Sequence, residues 1–98
     1  MSHIVEVTKT FSGTGTSDSI RCAGKFNFSL DLNGGAGTFQ LQRHNGTNWK
    51  PILHPVTESA DMTASTELTG EDAAKGGSLY RVECTAHTTP GAVARIWF

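Results

Sequence analysis

Gly37-Thr38-Phe39-Gln40-Leu41-Gln42-Arg43-His44-Asn45-Gly46-Thr47-Asn48-Trp49-Lys50-Pro51-Ile52 is the stretch on which the fold turns. Phe39, Leu41 and Arg43 share one parity and Thr38, Gln40, Gln42 and His44 the other, the period-two pattern of a strand with one face buried and one wet. Asn45 and Gly46 both tolerate positive φ, so an Asn-Gly pair between two strand-like runs reads as the tight reversal of a β-hairpin. Trp49, arriving after that turn, is expected to bring its ring back over the row of Phe39 and Leu41.

Upstream, the same alternation runs longer. From Asp18 the even positions are Ile20, Cys22, Gly24, Phe26, Phe28, Leu30 and Leu32, and the odd ones are polar or small. The run is long for one strand. Gly24, with no side chain to pack, marks the bend where two segments sharing one inward face turn a corner of a sandwich. Before it, His3 to Lys9 reads as a first strand, with Val5 and Val7 on one face and Ile4, Glu6 and Thr8 on the other. Phe11 to Ser17 reads as a plain small-residue loop, without the Lys that follows the glycines of a phosphate-binding loop.

Downstream, Leu53-His54-Pro55 ends a strand, and Val56 to Leu68 suggests one or two short strands or an edge. Thr69 to Gly77 holds the one helix-compatible stretch, at most a turn. Leu79 to Ala86 is a strand with Tyr80, Val82, Cys84 and Ala86 inward. Thr88-Thr89-Pro90-Gly91 is a turn, and Ala92 to Phe98 returns as the last strand. Seven or eight short strands with turn signals every ten or so residues predict an all-β antiparallel sandwich, immunoglobulin-like or jelly-roll-like.

Its 98 residues form a single domain, 1–98, large enough for one core. Eight basic against nine acidic residues give a net charge of −1, so no overall field attracts nucleic acid or an anionic membrane. Met1-Ser2-His3-Ile4-Val5-Glu6 lacks the basic and apolar segments of a signal peptide, and no apolar run spans a bilayer; a chain folded in a cytoplasm is expected. His3, His44, His54 and His87 are scattered, without metal-ligand spacing, so neither a metal nor a cofactor is expected. There is no Gly-x-Ser-x-Gly elbow and no conspicuous buried carboxylate, which argues against an enzyme.

Cys22, Trp49 and Cys84 follow the Cys, Trp, Cys order of immunoglobulin domains, and Glu71-Asp72-Ala73 with Tyr80 resembles their E–F corner. The spacings differ: Tyr80 stands four residues before Cys84 rather than two, and Trp49 lies too far from Cys22. Two buried, reduced thiols are expected.

Ser12-Gly13-Thr14-Gly15-Thr16-Ser17-Asp18 leading into a Phe-rich strand, Phe39-Gln40-Leu41-Gln42-Arg43 with its turn and Trp49, and Leu79 to Ala86 before a final strand together resemble small β-sandwich virion structural proteins of tailed bacteriophages. The resemblance implies a non-enzymatic virion protein: a capsid decoration or cement protein bound in many copies to the major capsid protein, or else a head-fibre, neck or tail accessory module. A carbohydrate- or receptor-binding sandwich is the alternative, with Trp49 as its candidate residue. The last strand supplies the candidate interface. Ala92, Ala94, Ile96 and Phe98 suit the core row, which leaves Val93, Arg95 and Trp97 outside, where Ile4 of the first strand extends the same patch. Such a patch suits docking on the capsid, or self-association, for instance as a trimer at a symmetry axis.

Overall fold

The computed structural model describes residues 5–55 and 57–98. Among them are nine strands and no helix: β1 (Glu6–Thr10), β2 (Gly15–Thr16), β3 (Ile20–Cys22), β4 (Gly24–Asp31), β5 (Ala36–His44), β6 (Trp49–Pro51), β7 (Thr66–Asp72), β8 (Ser78–Thr89) and β9 (Val93–Trp97). They form two antiparallel sheets: a four-stranded sheet ordered β1-β9-β4-β7, and a five-stranded sheet ordered β2-β8-β5-β6 in which β3 also pairs with β8. The protein is an all-β sandwich.

The corner anticipated at Gly24 is there. β3 belongs to the five-stranded sheet and β4 to the four-stranded one, and Gly24 at the junction has φ +78°, a conformation that costs a residue with a side chain dearly. Because parity is unbroken across the corner, Ile20 and Cys22 enter the core from one sheet and Phe26, Phe28 and Leu30 from the other. Phe39, Leu41, Tyr80, Val82 and Cys84 complete the five-stranded side, and Ala92, Ala94 and Ile96 the four-stranded side. Phe98, expected on that same core row, lies past the end of β9 and is 39% exposed.

Several expectations are corrected. Phe11, in the connection after β1, is no plain loop residue: its amide donates to the Ala92 carbonyl, its carbonyl accepts from Gly91, and its ring is buried edge-on to Phe39 at 5.3 Å. It ties the start of that connection to Gly91 and Ala92, just before β9. The segment that follows also contributes β2, and Ser17 is buried with its Oγ accepting the Val82 amide at 2.9 Å. Thr69 to Asp72, the first part of the stretch to Gly77 expected to hold at most one helical turn, is the second half of β7, paired in unbroken register with β4 from Gly24↔Asp72 to Leu30↔Thr66. Tertiary pairing overrides weak local propensity here. Gly70 is needed in that strand because a Cβ there would sit 2.5 Å from the Phe26 ring. Ala86, assigned inward, is exposed. β8 pairs Phe39↔Cys84 and then Thr38↔Ala86, so Thr85 is an extra residue, a β-bulge that inverts the parity beyond it. The strand also runs on to Thr89.

Trp49 is the largest correction. The hairpin closes on a four-residue loop, Asn45 to Asn48, with the Asn45 amide donating to Asn48 and the Asn45 Oδ1 accepting the amides of Thr47 and Asn48. His44 then faces Trp49 across the ladder. Directly paired residues share a face. Trp49 therefore joins the Gln40, Gln42 and His44 row on the outside, and the core is closed on that side by Met62, whose backbone pairs with Phe39.

Cys22 and Cys84 are free and buried. Cys22 stands opposite Ser78, six residues along β8 from Cys84, which puts the two thiols roughly 20 Å apart, beyond the reach of a disulfide. Immunoglobulin domains bridge between sheets, whereas both cysteines here belong to the same sheet. Burial pushes the Cys22 thiol up to about 11, with Asp72 adding to the shift, and burial raises Cys84 as well. Both should resist alkylation in the native protein and both should label in denaturant without reductant. Mass spectrometry checks this; labelling that required reductant would contradict the register.

Candidate functional site

Among the described residues, features that lie open to a ligand or partner include the outer faces of the two sheets and one end of the sandwich. On the four-stranded sheet, β9 is an interior strand, so its outward residues are flanked on both sides. Trp97 lies between Glu6 and Asn27, Arg95 between Thr8 and Ser29, and Val93 between Thr10 and Asp31. The Arg95 guanidinium lies over the Trp97 ring at 4.3 Å while its Nε donates to Glu6. Val93, Arg95 and Trp97 are thus aligned on one face, as the parity of the last strand requires, and all three are half-buried. The row is amphipathic rather than apolar, with a Trp under an Arg at its centre. Ile4, the fourth expected member, lies outside the described residues.

A second arginine–tryptophan pair occupies the opposite sheet. Arg81 lies over the Trp49 ring at 4.2 Å, and the His44 ring meets that indole edge-on at 5.1 Å. Arg81 Nε donates to Gln42 Oε1, Gln42 Nε2 donates to Glu83 and to Gln40, and Gln40 Nε2 donates to Asp61. Gln42, though on the outward row, is only 5% exposed, roofed by this network. Sequence parity placed the network's strand members on the outer face. It missed Trp49 as their neighbour, although a loop of any even length puts an odd-numbered residue opposite an even-numbered one.

Where β7 ends, the sequence concealed a buried carboxylate. Asp72 closes the inward row of β7, and its side chain is 1% exposed. Tyr80 donates its hydroxyl to Asp72 Oδ2 at 2.7 Å, Arg43 donates Nε to the same oxygen at 3.0 Å, and the Ala74 amide donates to Oδ1 at 2.9 Å. Burial alone would raise the Asp72 carboxyl, but hydrogen bonds from Tyr80, Arg43, Ser78 and Ala74 outweigh it and hold it below the usual carboxylate range. Tyr80 is raised, by burial first and then by the carboxylate it serves, so its phenol remains a donor. The network ties the end of one sheet to two strands of the other. The pairing of Asp72 with Tyr80 was hinted at by the E–F-like corner, but nothing local marked Arg43 as its third member.

Among the described residues, no group of three or more His, Cys, Asp or Glu side chains is placed to hold a metal ion.

No known protein family, curated protein or solved structure matches the chain. What it shares with known folds is the small two-sheet β-sandwich itself.

Proposed function

We propose that the protein is a non-enzymatic structural component of a tailed-bacteriophage virion, bound in many copies to the major capsid protein or a neighbouring virion protein and stabilising the head. The observation that carries this reading is the Val93, Arg95 and Trp97 row, displayed on an interior strand and held by Glu6. Trp and Arg are the residue types that most often dominate protein–protein binding, and a rigid sheet face loses little conformational entropy when it docks. The sequence resemblance to phage sandwich proteins supports the same role. Arg95 and Arg81 are each engaged within the chain, which favours a protein partner over nucleic acid or a bilayer. Self-association, for instance as a trimer at a capsid symmetry axis, would use the same face.

Trp97→Ala is expected to remain folded by circular dichroism and to lose particle incorporation by about thirtyfold, the equivalent of a ~2 kcal/mol hot spot. Sedimentation of assembled particles measures it. Folded mutant protein that enters particles at full occupancy would overturn the interface. The copy number in purified particles separates a head role from a neck, tail or fibre role.

The outward position of Trp49, beside Gln40, Gln42 and His44, favours a second reading, a carbohydrate- or receptor-binding sandwich. Binding of the isolated protein to host cells or glycans, lost in Trp49→Ala, would support it.

A further inference from the structure

At one end of the five-stranded sheet, the loop from β5 to β6 and the connection from β7 to β8 border a half-open pocket of about 300 Å³. Arg21, Arg43, His44, Asn45, Gly77 and Ser78 contribute to its lining, and no carboxylate does. The nearest acid bonded to this wall, Asp72, is buried and already accepts from Arg43, Tyr80 and Ala74.

The polar groups at the wall are donors whose accepting partners are in use. Arg43 commits its Nε to Asp72 and its guanidinium also lies beside Tyr80, on a side chain that is still 36% exposed. Arg21 Nη1 reaches the carbonyls of Gly76 and Gly77 at 3.3 and 3.4 Å, long contacts that orient the guanidinium and leave its charge uncompensated. His44 Nδ1 accepts the Gly46 amide at 3.1 Å, so the proton of the neutral ring resides on Nε2, which is then a donor. Asn45 Oδ1 accepts two loop amides, which leaves its NH₂ group. A neutral ligand rich in hydroxyls would meet few acceptors here, and a cation would be repelled. An oxyanion complements every one of these groups.

The wall is also preorganised: Asp72 holds Arg43, Trp49 packs edge-on against His44, and the Asn45 loop is closed by its own hydrogen bonds. Little ordering remains to oppose binding. The volume is at the lower end of small-molecule sites and leaves space beyond the anionic group itself.

We propose that this pocket binds an oxyanion, a carboxylate or phosphate, carried on a body the size of one sugar ring, with Arg21 and Arg43 facing the anion and His44 and Asn45 donating beside it. The site is independent of the capsid reading, since it uses neither Trp97 nor the outer face on which that residue lies.

The test is an NMR titration of the amide resonances of the full chain with glucuronate, glucose 6-phosphate, glucose, inorganic phosphate and N-acetylglutamate amide. Glucuronate or glucose 6-phosphate is expected to shift the amides of Gly46, Gly77 and Ser78 with a dissociation constant of roughly 1–10 mM, the range of a single charge-assisted contact set. The comparison of those two probes assigns the anion as carboxylate or phosphate. Added salt should weaken the binding, and glucose should leave the spectrum unchanged. Arg21→Gln, which removes an exposed side chain, is expected to weaken binding about tenfold, as the loss of a charge-assisted contact would. His44→Phe keeps a ring against Trp49 and should weaken it severalfold. Absence of shifts with both charged sugars, or binding unchanged in both variants, would overturn the proposal. So would a response confined to inorganic phosphate, a free-ion site, or confined to N-acetylglutamate amide, a site for a protein carboxylate.

Discussion

Asp72→Ala is expected to destabilise the protein by about 2–4 kcal/mol, because it strands the buried Tyr80 hydroxyl, an unsatisfied donor costing ~1–3 kcal/mol, and removes the acceptor that also holds Arg43 and the Ala74 amide. Tyr80 is 3% exposed, so water cannot replace the lost acceptor without entering the core. The effect is also pH-dependent, with a sign fixed by the direction of the shift. The carboxyl is lowered in the folded protein relative to about 3.9 in the unfolded chain. Its stabilisation is therefore complete above that unfolded value and is lost as the pH falls towards the folded one. The stability difference between wild type and Asp72→Asn should be flat from about pH 5 to 8 and shrink below about pH 4. Urea denaturation across this range measures it. A difference that grew on acidification would mean the carboxylate is not held by these donors.

Phe28→Ala should cost more, on the order of 3–5 kcal/mol, much of the ~5–15 kcal/mol available to a domain of this size. Phe28 is 1% exposed at the middle of β4, between Leu68 of β7 and Ile96 of β9. Both neighbouring strands hold it in register, so the cavity left by its ring has little freedom to collapse. Chemical denaturation compared with wild type checks this. A midpoint within error of wild type would remove Phe28 from the core and with it the shared inward face of β3 and β4.

That shared face was legible from residue order alone. Alternation is imposed by the pleat of a single strand, so Ile20, Cys22, Phe26, Phe28 and Leu30 could be assigned to one side without knowing what they would meet, and likewise Ala92, Ala94 and Ile96 against Val93, Arg95 and Trp97. Gly24 was readable for the same kind of reason, since an absent side chain in an unbroken apolar row marks a backbone requirement. Phe11 was legible too, two residues beyond Lys9 on the odd row that holds Val5 and Val7.

The remaining features needed the tertiary structure, because parity propagates only as far as the next turn or bulge. One extra residue at Thr85 decided the face of Ala86, whereas that of Trp49 follows from the even length of the turn, which a two-residue Asn-Gly reversal shares with the four-residue loop Asn45 to Asn48. Thr66 to Asp72 has little strand character of its own and became β7 by pairing with β4. Asp72 looks like any loop acid until that pairing buries it beside Tyr80 and Arg43, which are brought to it from the other sheet. The donor-lined pocket follows from the same long-range pairing. Arg21, Arg43 and Ser78 are distant in the chain and meet only because β3 and β5 pair with the same end of β8. Periodicity records which way a side chain points from its own backbone; which other backbone it then faces is decided by contacts between segments, and no short-range pattern encodes them.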